Sequence, residues 1–142
     1  ESVHVLLNHK KWLEKQLVER QVQLIHFESK ELIELHRDSS IIYSHYFNRS
    51  IQELQKLAQL VITSVPNSII LLIAENEQRL QFVIGRGENS DLNLKEVLPE
   101  ILPLIDGKGG GSERFVQGGG QTEMDIVLLE ETCVHILEKY LP

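Results

Sequence analysis

Cysteine, methionine and tryptophan each occur once in this 142-residue chain, and aromatic side chains make up only 6% of it. The lone Cys133 excludes an internal disulfide and a cysteine-rich zinc site, and it suits a reducing, cytoplasmic setting. No apolar stretch approaches the roughly 18 residues that a membrane span needs. The N-terminus also lacks the basic, apolar and small-residue order of a secretory signal. Basic residues are few: 14 Lys and Arg stand against 21 Asp and Glu, a net charge of −7. The acid excess lies beyond residue 40, where eight basic residues face fourteen acidic ones. Such a balance favours a solvated surface over a free-standing nucleic-acid binder, which needs clustered Lys and Arg. The chain opens on Glu1 and its single methionine is Met124, so it reads as a piece of a longer protein.

Glycine and proline are absent from the first 37 residues, and Leu, Glu, Lys and Gln dominate there, which predicts one long helix or two end to end. Val3, Leu6, Leu13, Leu17, Leu24 and Phe27 follow a three-four spacing, and Val18, Val22, Ile25 and Leu32 form a second stripe beside it. A helix of that length projects about 54 Å and needs a partner to bury so wide a face, for which a second copy of the chain is one candidate.

Residues 41–47, rich in β-branched and aromatic side chains, predict a strand, and Ser50-x-x-Glu53 has the form of a capping box opening a helix that ends before Pro66. The unbroken apolar run Ile69–Ile73 suits a central strand covered on both faces. A turn at Glu75–Gln78 and the alternation Leu80, Phe82, Ile84 complete a hairpin. A helix over 94–105 is expected to kink at Pro99, and residues 126–140 form a closing amphipathic helix with Cys133 on its apolar face. The predicted fold class is α/β (α+β): a long N-terminal helix (1–39, a coiled-coil-like linker), then a β-α-β-β-α-glycine loop-α domain (40–142) with a small mixed sheet flanked by helices.

The distinctive feature is residues 107–120, with seven glycines in fourteen positions, Lys108 and Arg114 among them. Two physical readings stand level. Glycines can shape a concave row of backbone N–H groups that cradles an anion, or they can let backbones pass closely in a tight crossover. A Walker-type phosphate loop is excluded because Gly109, and not Ser or Thr, follows Lys108. Dinucleotide binding is excluded because Gly85-x-Gly87 leads to Ser90 where a third glycine is required.

The two triplets, Gly107-Lys108-Gly109-Gly110-Gly111 and Gln117-Gly118-Gly119-Gly120, resemble the C-terminal (C-Ala type) domain of alanyl-tRNA synthetases and of their long-form, free-standing editing relatives, which is the DHH-associated domain. The resemblance spans residues 40–142, and the long helix matches the coiled segment that precedes this domain in the family. The chain departs from the pattern at Ser112, where a basic residue is usual, and at Val116, where the family has Ala. Arg114 stands where it can restore the missing charge.

The resemblance implies a non-catalytic module that binds tRNA-Ala and supports homodimer formation, while chemistry takes place on another domain. It implies RNA contact at Lys108, Gly109, Gly110, Gly111, Gln117, Gly118, Gly119 and Gly120, and the charge of Arg114 adds that residue to the expected contacts. The parent is then an editing hydrolase that deacylates mischarged tRNA-Ala, or alanyl-tRNA synthetase itself. The family's zinc-bearing editing site uses H-x-x-x-H and C-x-x-x-H pairs that this chain lacks, so zinc is expected only in the absent editing domain. No catalytic residue, metal ligand, cofactor or membrane partner is expected here. The alternatives are the nucleic-acid substrate-binding lobe of a DHH-type phosphoesterase, whose lobes carry a His where Ser112 stands, and a pure dimerisation module.

Overall fold

The computed structural model describes residues 2–77 and 79–141, with side chains from residue 9 onward. The seam positions Val3 and Leu6, together with His4, fall outside the described side chains, and Gln78 of the expected turn lies outside the described residues. The elements run α1 (Ser2–Leu35), β1 (Ile41–Phe47), α2 (Ile51–Ser64), β2 (Ile69–Asn76), β3 (Arg79–Arg86), α3 (Leu94–Ile101), a 3-10 turn (Leu102–Ile105), β4 (Lys108–Gly111), β5 (Phe115–Gly120) and α4 (Ile126–Glu138). The fold is thus mixed α/β, with the long first helix present as expected.

One sheet of order β1-β2-β3-β5-β4 organises the molecule. β1 and β2 are parallel, joined through α2, and every other pair is antiparallel. The apolar run of β2 is buried on both faces, as its composition requires. Ile69, Leu71 and Ile73 enter one core with α3 and α4, while Ile70, Leu72 and Ala74 enter a second with α1 and α2. Ser50 caps α2, its Oγ accepting from Glu53 N at 3.2 Å, and the helix stops at Ser64 ahead of Pro66. Pro99 lies inside α3, and the helix gives way to the 3-10 turn after Ile101.

The fourteen-residue glycine segment, read from sequence as a loop, carries the last two strands of the sheet. Glycine has poor strand propensity, so composition conceals a ladder held by backbone hydrogen bonds. Asp106, in the left-handed region at φ 46°, turns the chain from the 3-10 helix into β4.

The first helix is divided in its packing. Ile25 and Leu32 join the core beneath α2, whereas Trp12, Leu13, Leu17, Val18 and Leu24 stay exposed. Arg49 pins the packed portion: its guanidinium bonds Glu28 of α1 and Glu53 of α2, and lies 4.9 Å from the Tyr46 ring centroid.

Candidate nucleic-acid interface

The two faces of the sheet are covered unequally. The α3–α4 layer reaches across to β5, burying Val116, whereas α2 packs on β2 and β3. On the α1–α2 side the face of β5 and β4 is therefore bare beyond its inner margin, where Phe115 packs on the α1–α2 core and Gln117 meets Gln55. Gly110, paired opposite Gln117, lies open. β4 is the sheet's edge, and all four of its residues are exposed.

The ladder sets which backbone groups remain available. Ser112 N donates to Phe115 O at 2.8 Å, and alternation from that pair bonds Gly110 to Gln117 and Lys108 to Gly119. The N–H and C=O groups of Gly109 and Gly111 then face the open edge. Both readings of the glycine cluster find support in this geometry. At Gly107, Gly109, Gly111 and Gly120 an added Cβ would lie within 2.4 Å of a backbone oxygen, and at Gly118 it would lie 2.8 Å from the Phe82 ring. These positions are glycine because backbones pass closely. Gly111 has in addition φ +153°, which side chains disfavour. Gly119 is less confined, its nearest neighbour being Leu80 O at 3.1 Å. Gly110 differs from all of them, with nothing within 4 Å of the place a Cβ would take.

The expected cations are not side by side. Lys108 opens β4 and borders the glycine hollow, which also takes in Gly109, Gly110, Gly111, Gln117 and Gly118. Arg114 sits in the turn at the other end, roughly 13 Å away along an extended strand, and lines a different cavity with Arg86. Ser112 Oγ accepts from Arg114 N at 3.2 Å, so Ser112 shapes the turn that presents Arg114.

Several neighbours of the hairpin gain a place at the site only through the fold. Gln55 of α2 donates to the Gln117 side-chain oxygen across 62 residues of sequence. Gln55, Lys56, Phe115 and Gln117 line a groove of about 660 Å³ beside α1 and α2. Arg86 closes β3 between Gly85 and Gly87, glycines that the sequence alone offers only as an incomplete dinucleotide motif.

His26 of α1 lines the groove beside α1 and α2 as well, whereas His36, His45 and Cys133 lie away from it. His36 Nδ1 is 2.9 Å from Leu32 O with its ring edge-on to Tyr43, and His45 Nδ1 is 2.9 Å from Glu130 Oε2. Cys133 is buried in the α4 core, and burial, then the Glu130 charge, pushes its thiol up to about 12. Among the described residues, no three His, Cys, Asp or Glu side chains gather to hold a metal, and no helix is long and apolar enough to cross a membrane.

No protein-family model matches the chain. The alanine–tRNA ligase of Mycoplasmoides gallisepticum is 25% identical over 120 residues, covering 84% of this chain and 11% of that protein. The chain spans about a tenth of the length of the curated relatives it matches. Among solved structures, the C-Ala domain of Aquifex aeolicus alanyl-tRNA synthetase superposes with a TM-score of 0.62 at 24% identity, covering 71% of this chain and 89% of that one. RecJ of Thermus thermophilus, solved with Mg2+, matches with a TM-score of 0.63 at 14% identity over 90% of this chain and 19% of that one. The resemblance carried by the paired glycine triplets is borne out: this chain is similar in sequence to a segment of alanine–tRNA ligases and has the fold of the C-Ala domain of alanyl-tRNA synthetase.

Proposed function

We propose that this chain is a non-catalytic tRNA-binding module that holds tRNA-Ala on the bare face of β4–β5, for chemistry carried out by another domain of an alanyl-tRNA synthetase or of an alanyl-tRNA editing hydrolase. The observation that carries the reading is Gly110. Its neighbours in the motif are glycine for reasons of internal packing, but its missing side chain opens only onto solvent, between the outward backbone groups of Gly109 and Gly111. A bare backbone there serves something that approaches from outside. Phosphate oxygens suit exposed N–H groups flanked by Lys108. The sequence similarity to alanine–tRNA ligases supports tRNA as their source.

The contrast between two alanine substitutions tests this. Gly110→Ala should leave the melting temperature unchanged within a degree or two and weaken tRNA-Ala binding about tenfold, the equivalent of one displaced charge-assisted hydrogen bond. Gly118→Ala should destabilise the fold by about 1–3 kcal/mol, because the buried Phe82 ring must give way. Undiminished tRNA binding by Gly110→Ala would remove the hairpin from the account.

The exposed apolar stripe of α1 supports a second role, homodimer formation through the long helix, as the module's part in assembling its parent. The RecJ superposition favours the DHH-lobe alternative on fold alone. Against that alternative, Ser112 is engaged in capping the turn at the position where such lobes carry His.

A further inference from the structure

Phe115 is a half-buried aromatic residue within the glycine segment, and it lies opposite Gly85 in the β3–β5 pair. A Cβ on Gly85 would sit 3.0 Å and 3.2 Å from the ring's Cδ2 and Cε2, so the glycine makes room for the ring against the sheet. The ring also borders three spaces at once: the groove beside α2, the glycine hollow, and a cavity of about 340 Å³ containing Arg86 and Arg114. Backbone carbonyls fix the Arg86 guanidinium. Its Nε donates to Glu113 O at 3.4 Å, and its Nη1 donates to Gly87 O at 3.3 Å and to Ser90 O. Those acceptors are neutral, and among the described residues neither Arg86 nor Arg114 forms an ion pair, although Glu88 borders the same cavity. In an acidic domain, a cation held by carbonyls and a second one on the adjoining turn thus border the same cavity as the aromatic ring.

A ring, a pair of cations and a bare backbone strip next to one another match the parts of an unpaired nucleotide: a base that stacks, and a phosphate on each side of it. The geometry points to Phe115 as a stacking platform for one unpaired RNA base, with Arg86 and Arg114 taking the adjoining phosphate. This rests on the reading of β4–β5 as an RNA contact and deepens it. The duplex-like part of an RNA would engage the hairpin through its backbone, whereas an unstacked base is what the Phe115 position adds.

The test uses the full chain and two six-nucleotide probes at low salt, hexa-adenylate and an abasic ribose-phosphate strand of equal length, followed by fluorescence anisotropy. Hexa-adenylate should bind roughly tenfold more tightly than the abasic strand, the gain from one stacked base. Phe115→Leu should abolish that difference and Phe115→Tyr should keep it, while Lys108→Ala should weaken both probes alike. Equal affinity of the two probes for the unaltered protein overturns the stacking site. If Lys108→Ala still weakens both, the hairpin contact survives that failure. If neither probe binds, and tRNA does not bind either, both readings fall together.

Discussion

Alanine at position 110 and alanine at position 118 add the same methyl group to neighbouring strands, yet the surroundings make one a surface change and the other a core clash. The same dependence on surroundings governs Cys133. Its thiol, ordinarily near 9.0, is held up to about 12 by burial. The folded state therefore keeps the proton that the unfolded chain gives up, and the thiol's contribution is intact below about pH 9. As pH rises from about 9 to about 12, that contribution should fall by as much as ~1.4 kcal/mol per pH unit. Urea titrations of the protein and of Cys133→Ala across this range measure the difference, which should narrow as pH rises. Parallel pH curves would show that the thiol is not held in this way.

At the scale of elements, periodicity and punctuation made most of the fold legible. Pro66 marked the end of α2, the unbroken Ile69–Ile73 run marked a two-sided strand, and Ser50 marked a cap. β4 and β5 were illegible as strands because their order comes from backbone pairing and from Asp106 turning the chain, neither of which leaves a side-chain pattern. The candidate site was legible only in part for a related reason. Lys108, Gln117 and the triplets announce themselves by composition, whereas Phe115, Arg86 and Gln55 gain their meaning from strand pairing and from helix packing across long sequence separations. Long-range placement also decides how α1 is held. Arg49 is half-buried between Glu28 and Glu53, and its guanidinium holds the Glu53 carboxyl below the usual carboxylate range. Arg49→Ala would leave Glu28 without its cation in a half-buried site where Oε1 already has no partner among the described residues. Loss of about 2–3 kcal/mol is expected, with faster hydrogen exchange in the 20–35 segment. Unchanged exchange there would mean that Ile25 and Leu32 alone hold the helix.

At the scale of the whole molecule, the exposed stripe of α1 and the bare face of the sheet are separate surfaces with separate tests. Removing residues 1–37 would strip Ile25 and Leu32 from the core, so a truncation meant to probe self-association must stop near residue 20. Light scattering should report a dimer for the intact chain and a monomer for that truncation. An intact chain that stays monomeric at high concentration rules the helix out as a dimer seam.

The claim that β4–β5 grips RNA is tested most directly by titrating tRNA-Ala at several salt concentrations. Two phosphate contacts, from Lys108 and Arg114, predict a log–log slope of about −1.8. The double variant Lys108→Ala/Arg114→Ala should reduce the slope to about half, Arg86 keeping its share of one phosphate, while its melting temperature holds. A slope that the double variant leaves unchanged would place the RNA on another surface and contradict the account.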